Sequence, residues 1–294
     1  MSIFKILYYA FINTKNLYRS IIGNKLREDF VENETSELNK RHWNIFKLIE
    51  LNSDLFLPKL PIKSPSWMPK FCKKIFFGSN SRYLPDEIEE KDNISVLYVN
   101  GIMSNREVIE INRKEISKIL NRPVNVIYNV TDSFLIDIFE CFIGKETEHL
   151  TEASTITLYV LSRKLLDPNI QKIILICHSQ GTIIVAKALQ YLSKFGLNKE
   201  EYIKKLEIYA FANCATKMNY VLDNYPYMEH FANEEDFVAR LGCNCSEEVK
   251  QYMSIDGSVF IRNNKSGHMF NSHYIDDFCN DYPQSKLLSY IKKN

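Results

Sequence analysis

The chain has 294 residues, of which 45% are hydrophobic, 25% charged and 13% aromatic. That balance belongs to a globular protein and excludes disordered and collagen-like chains. Thirty-seven Lys and Arg against 36 Asp and Glu leave a formal charge of +1, so no bulk field is available to hold a phosphate backbone, and nucleic acid is not expected as a partner. A length near 300 allows one large α/β domain or two small ones. The seven cysteines are an odd number scattered along the whole chain, which reads as mostly reduced thiols in a cytoplasmic compartment. Cys243 and Cys245 stand two apart without a second pair at zinc spacing, so neither a metal nor a cofactor is expected.

From the N-terminus, Ile3, Phe4, Ile6, Leu7, Tyr8, Tyr9, Phe11 and Ile12 form an apolar stretch interrupted by Lys5. It is shorter than the roughly 20 apolar residues needed to span a bilayer. It also lacks the cationic start and cleavage site of a secretory signal. With Lys15, Arg19 and Lys25 following, residues 1–22 are a candidate for peripheral membrane contact, although a short apolar helix more often packs on its own core. Helical spacing continues to about residue 50 through Trp43, Phe46, Leu48, Ile49 and Leu51. Pro58, Pro61, Pro65 and Pro69 then rule out a long helix and predict an extended arm. Residues 1–90 thus read as a helical and Pro-rich extension, either a lid or membrane-proximal element or an ordinary surface connection.

From Ile94 short β-rich runs alternate with helical stretches, the pattern of a mostly parallel sheet with helices on both faces. The predicted strands are 95–99, 124–128, 172–177, 206–211, 228–232 and 258–261, and the predicted helices are 105–120, 147–166, 182–195 and 276–292. Residues 91–294 are accordingly expected to form one α/β domain.

The sharpest local feature is Ile173-Ile174-Leu175-Ile176-Cys177-His178-Ser179-Gln180-Gly181-Thr182-Ile183. A buried strand runs into a serine and at once into Gly and a helix, the setting of a nucleophile elbow of the form G-x-S-x-G, with Cys177 in place of the first Gly. Ser is also a common helix cap, so the assignment depends on partners elsewhere. An acyl-transfer serine needs an imidazole, a carboxylate to orient it, and two amides for the oxyanion. One amide is that of Gln180. The other is expected from the loop after Leu97-Tyr98-Val99-Asn100-Gly101, at Ile102 or Met103. Asp236 occupies the expected place for the acid, with Asp223 in reserve. Among the histidines that follow Ser179, His230 lies inside a predicted strand, which leaves His268, preceded by Gly267, as first choice for the base and His273 as the alternative.

On these residues the chain resembles the α/β-hydrolase superfamily, and within it the lipase-like and esterase-like serine hydrolases with a His-Ser-Gln-Gly elbow. The matching pieces are Val99-Asn100-Gly101-Ile102, Cys177 through Gly181, Asn233 through Val238, and Gly267-His268 through His273-Tyr274, with Tyr128-Asn129-Val130-Thr131-Asp132 between them. The resemblance covers about residues 94 to 292. The resemblance implies hydrolysis of a small-molecule or lipid acyl ester through an acyl-serine. A catalytically inactive binding protein on the same fold is the alternative, because fold does not fix activity.

Overall fold

The computed structural model describes residues 17–44, 47, 66–69, 80–88, 92–101, 106–130, 150–197, 199–219 and 226–291. The apolar stretch at 3–12, the prolines at 58, 61 and 65, Asp223 and Ile102 lie outside them.

Among the described residues of the N-terminal part are two short helices, α1 (Leu17–Ile22) and α2 (Leu26–Val31). A longer run is interrupted at Gly23, which takes a φ of 83° that favours glycine and ends α1. Residues 33–39 use their side chains in turns instead of continuing a helix: Asn33 Oδ1 accepts from Thr35 N at 3.0 Å, and Asn39 Oδ1 from Arg41 N at 3.0 Å. A short strand, β1 (Arg82–Leu84), follows. Next come β2 (Ile94–Val99), α3 (Arg106–Leu120), β3 (Val124–Tyr128), α4 (Glu152–Leu166), β4 (Lys172–His178) and α5 (Gln180–Lys194). The remaining strands are β5 (Leu206–Phe211), β6 (Lys217–Met218), β7 (Tyr227–Asn233), β8 (Ser254–Ile255) and β9 (Ser258–Arg262).

Among the described residues seven strands form one sheet in the order β1-β3-β2-β4-β5-β7-β9, antiparallel only between β1 and β3. β6 and β8 make a separate parallel pair. Along β2, Leu97 and Val99 join one buried cluster while Val96 and Tyr98 join the other, and β4 repeats the division with Leu175 and Cys177 against Ile174 and Ile176. Successive side chains leave a strand on opposite faces, so the continuous apolar runs mean that both faces are covered. Leu161 and Leu165 of α4 with Val185 and Leu189 of α5 cover one; Ile109 and Ile116 of α3, with Phe270, Tyr274 and Phe278 from the C-terminal part, cover the other. This is the architecture that the resemblance implied.

The register aligns Phe211 of β5 with Phe231 of β7, and Phe231 with Phe260 of β9. Their rings stack at 4.7 and 5.6 Å. Each such pair adds about 0.5–1.5 kcal/mol beyond its buried area. The row makes the floor on which residues 270–282 lie.

In place of the helix expected at 276–292 stand a short α-helix Phe278–Asp281 and a 3-10 turn Lys286–Tyr290, preceded by a π-helical turn Asn271–Ile275. Pro283 lacks an amide hydrogen and clashes with the preceding turn. Ser285 then caps a new start, accepting from Leu287 N at 3.1 Å. Helix α4 begins at Glu152, not 147, because Thr151 caps it through Ser154 N at 3.1 Å.

Helix α5 lies so close to the end of β2 that a Cβ added at Gly181 would come within 2.4 Å of Val99 O and 2.8 Å of Asn100 O. These are backbone atoms that cannot swing away. Gly181→Ala is therefore expected to lower unfolding stability by about 1–3 kcal/mol, read from the urea midpoint; a loss under about 0.5 kcal/mol would contradict the packing.

Candidate functional site

Strand β4 ends at His178, α5 begins at Gln180, and the residue between them takes the turn. Ser179 has φ 56° and ψ −128°, a backbone conformation that costs a side-chain-bearing residue about 1–3 kcal/mol and persists only where its surroundings enforce it. Several contacts do. Ser179 N donates to Phe211 O at 3.0 Å, its carbonyl accepts from Thr182 N at 2.9 Å and Thr182 Oγ1 at 2.7 Å, and Cys214 Sγ donates to the same carbonyl at 3.4 Å. Gly101 leaves room for the serine, since a Cβ there would sit 2.4 Å from Ser179 Cβ. Cys177, where the motif has Gly, is buried among the residues facing α4 and α5.

Asp236 and His268 follow the neighbouring strands β7 and β9, of which β9 is the edge of the sheet. Asp236 lies three residues past β7 and is fully buried. Its Oδ1 accepts from Val238 N at 2.8 Å; its Oδ2 accepts from His268 Nδ1 at 2.8 Å and from the Tyr274 hydroxyl at 2.6 Å. A carboxylate only accepts, so the Nδ1 proton points to Asp236 and the Nε2 lone pair faces outward. Ser179 Oγ lies 2.9 Å from that Nε2. The Tyr274 oxygen in turn accepts from Asn233 N at 3.1 Å.

The electrostatics follow from this arrangement. Burial pulls the His268 pKa down, but the charge and hydrogen bond of Asp236 outweigh it and hold the pKa above the ordinary imidazole value. His178 is driven well below that value by burial and then by the charge of His268, so it is neutral. Its Nε2 donates to the His268 carbonyl at 2.9 Å. Burial and the neighbouring Asp236 charge push the Tyr274 phenol up, keeping it a donor.

Ser179, His268 and Asp236 are thus joined by hydrogen bonds, and His273 is not part of the chain. Its Nδ1 accepts from Met269 N at 2.9 Å, and its Nε2 lies 3.3 Å from Asp29 Oδ2. Gln180 supplies the first amide of α5, and first-turn amides have no intrahelical acceptor. Ile102 is outside the described residues, but the loop that leads to it is anchored: Asn100 Nδ2 donates to Gly101 O at 2.9 Å and Asn129 O at 2.8 Å, and Asn129 N donates back to Asn100 Oδ1 at 2.8 Å. Asn129 Nδ2 also donates to Gln180 Oε1 at 2.5 Å. Among the described residues no group of three or more His, Cys, Asp or Glu is arranged to hold a metal, and no helix is long and apolar enough to cross a membrane.

No family model and no curated protein matches the chain. Among solved structures it is similar to an arylesterase, at 14% identity over 84% of this chain and 91% of that one with a TM-score of 0.45. A thermostable carboxylesterase from a metagenomic library is 11% identical over 89% of this chain and 99% of that one, TM-score 0.46. An esterase of Pyrobaculum calidifontis is 10% identical over 77% and 84%, TM-score 0.42.

Tyr274 and His268 share one carboxylate oxygen, so removing the phenol should concentrate negative charge opposite the imidazole. Tyr274→Phe is expected to raise the His268 titration midpoint, followed by NMR, by up to about one unit and to lower stability by about 1–2 kcal/mol through the unpartnered Asn233 amide. A midpoint that stayed put or fell would refute the shared-oxygen account.

Proposed function

We propose that this chain is a serine hydrolase that cleaves carboxylic esters, of lipids or of small molecules, through an acyl-serine intermediate. The observation that carries this reading is the unbroken line of hydrogen bonds from Ser179 Oγ to His268 Nε2 at 2.9 Å and from His268 Nδ1 to Asp236 Oδ2 at 2.8 Å, starting from a serine held at positive φ.

In this mechanism Ser179 Oγ attacks the carbonyl carbon and passes its proton to His268 Nε2. The imidazolium that forms is stabilised by the Asp236 carboxylate. Negative charge collects on the carbonyl oxygen, where the amides of Gln180 and Ile102 are assigned as donors. Collapse of the tetrahedral species breaks the bond to the alcohol, which leaves with the proton from His268. Water then repeats the sequence on the acyl-serine: His268 removes its proton, and the same proton returns to Ser179 as the acid departs. No cofactor or metal enters any step.

Ser179→Ala is expected to lower the turnover of p-nitrophenyl esters by at least about 10⁴-fold with unchanged far-ultraviolet circular dichroism; a variant as fast as the parent would end this reading. The base works only as neutral imidazole. Since Asp236 stabilises the protonated form, kcat/KM should rise with pH through a midpoint above the unperturbed value of about 6.5. A midpoint well below 6.5 would remove His268 from the role.

A further inference from the structure

The loop that bears His268 has little regular structure of its own. It follows β9, turns at Gly267 with φ 96°, and reaches its first helical turn only at Asn271. What closes over it is the N-terminal segment. His268 N donates to Ile21 O at 2.8 Å, while the carbonyl of the same residue accepts from His178. Its peptide groups are therefore clamped between residue 21 and the serine turn. On the neighbouring acid loop, Arg19 Nε pairs with Glu235 Oε2 at 3.1 Å, one residue before Asp236. The ring of His273 lies against both Gly23 and Gly267, where added Cβ atoms would meet it at 2.5 Å.

The centre of the junction is a buried carboxylate. Glu37 is 2% exposed and accepts from Asn271 N at 2.7 Å, Ser272 N at 3.3 Å and Ser272 Oγ at 3.1 Å. Asn271 Nδ2 donates to Thr35 O at 3.0 Å, and Ser36 Oγ lies 2.8 Å from Ser272 Oγ. Burying a carboxylate is costly unless its oxygens are filled. Here they are filled by the turn three and four residues beyond His268, so the carboxylate and the loop specify each other's position.

We propose that residues 17–44 are a positioning element for the catalytic base, and that Glu37 is the residue through which they set the 266–273 loop. The inference rests on the serine-hydrolase reading. It assigns to the N-terminal segment a part in the reaction without contact with substrate: a shift of the imidazole by about 1 Å costs on the order of a hundredfold in rate, and the loop is held to the sheet edge from outside by this segment.

The test is Glu37→Gln in the full chain, which replaces one acceptor with an amide donor facing other donors. Three readouts are compared with the parent: kcat and KM for a p-nitrophenyl ester, hydrogen–deuterium exchange across the chain, and rescue by Glu37→Asp. The expected result is a fall in kcat of about tenfold or more with KM unchanged, faster exchange confined to 17–44 and 266–273, and partial recovery of kcat with Asp. If Glu37→Gln does not fold, Ser272→Ala, which removes one of the Glu37 donors, is expected to give a smaller loss in kcat alone. Unchanged kcat in the folded variants, or exchange rising equally in β4 and α5, would overturn the proposal. A parent that turned over no ester would count against the hydrolase reading, and local exchange at 266–273 would still decide whether Glu37 holds the loop.

Discussion

Ser179 is held at φ 56°, and much of the surrounding fold is arranged so that an L-residue can stay there. The amide and carbonyl of the serine are both taken up, by Phe211 on one side and by Thr182 and Cys214 on the other. Room for its side chain depends on Gly101, and the approach of the following helix to β2 depends on Gly181. Because these contacts come from the ends of the parallel strands β2 and β5 and the start of α5, the hydroxyl at the end of β4 is fixed to the sheet and not to a loop. A reacting group set on rigid elements keeps its geometry better than one on a loop.

Buried carboxylates do the rest of the positioning, and each is handled differently. Asp236 shares one oxygen between His268 and Tyr274 at the C-terminal edge of the sheet. Glu207, in β5, is taken by Lys172, Lys286, Tyr209 and Tyr290. Burial alone would raise its pKa, but these partners hold it below the usual carboxylate range. Glu229, in β7, accepts from Tyr227, Ser285 and Lys286 N. Together Glu207 and Glu229 tie the turn at 285–290 to β5 and β7. A buried charge that loses its partners is strongly destabilising, so the sheet, the C-terminal turn and the acid loop are mutually dependent.

The parts of this arrangement that are local in sequence were the legible ones. Residues 173–186 carry strand, turn and helix signals within fourteen positions, and β4 and α5 meet at Ser179 as that pattern requires. The chain order of serine, acid and histidine, with the turn at Gly267, puts Asp236 and His268 first and leaves His273 as the alternative; His268 lies within hydrogen-bond reach of both Asp236 and Ser179. What could not be read is what depends on distant partners. His268 and His273 look alike in sequence; they differ because one faces Asp236 and the other Asp29, more than two hundred positions earlier. Neither Tyr274 nor Glu37 carries a local signal for its role, since the partner of one is Asp236 and the partners of the other are Asn271 and Ser272, far along the chain. The continuous helix expected at 276–292 is stopped for a local reason: Pro283 cannot continue it.

The central claim is that the hydroxyl of Ser179 is made nucleophilic by an imidazole lying 89 positions further on. Reaction of the folded protein with a fluorophosphonate, followed by mass spectrometry of its peptides, tests this most directly. The account requires one phosphonate on Ser179, with labelling slowed by orders of magnitude in His268→Gln and close to the parent rate in His273→Gln. A phosphonate on another residue, no labelling at all, or equal rates in all three proteins would contradict it.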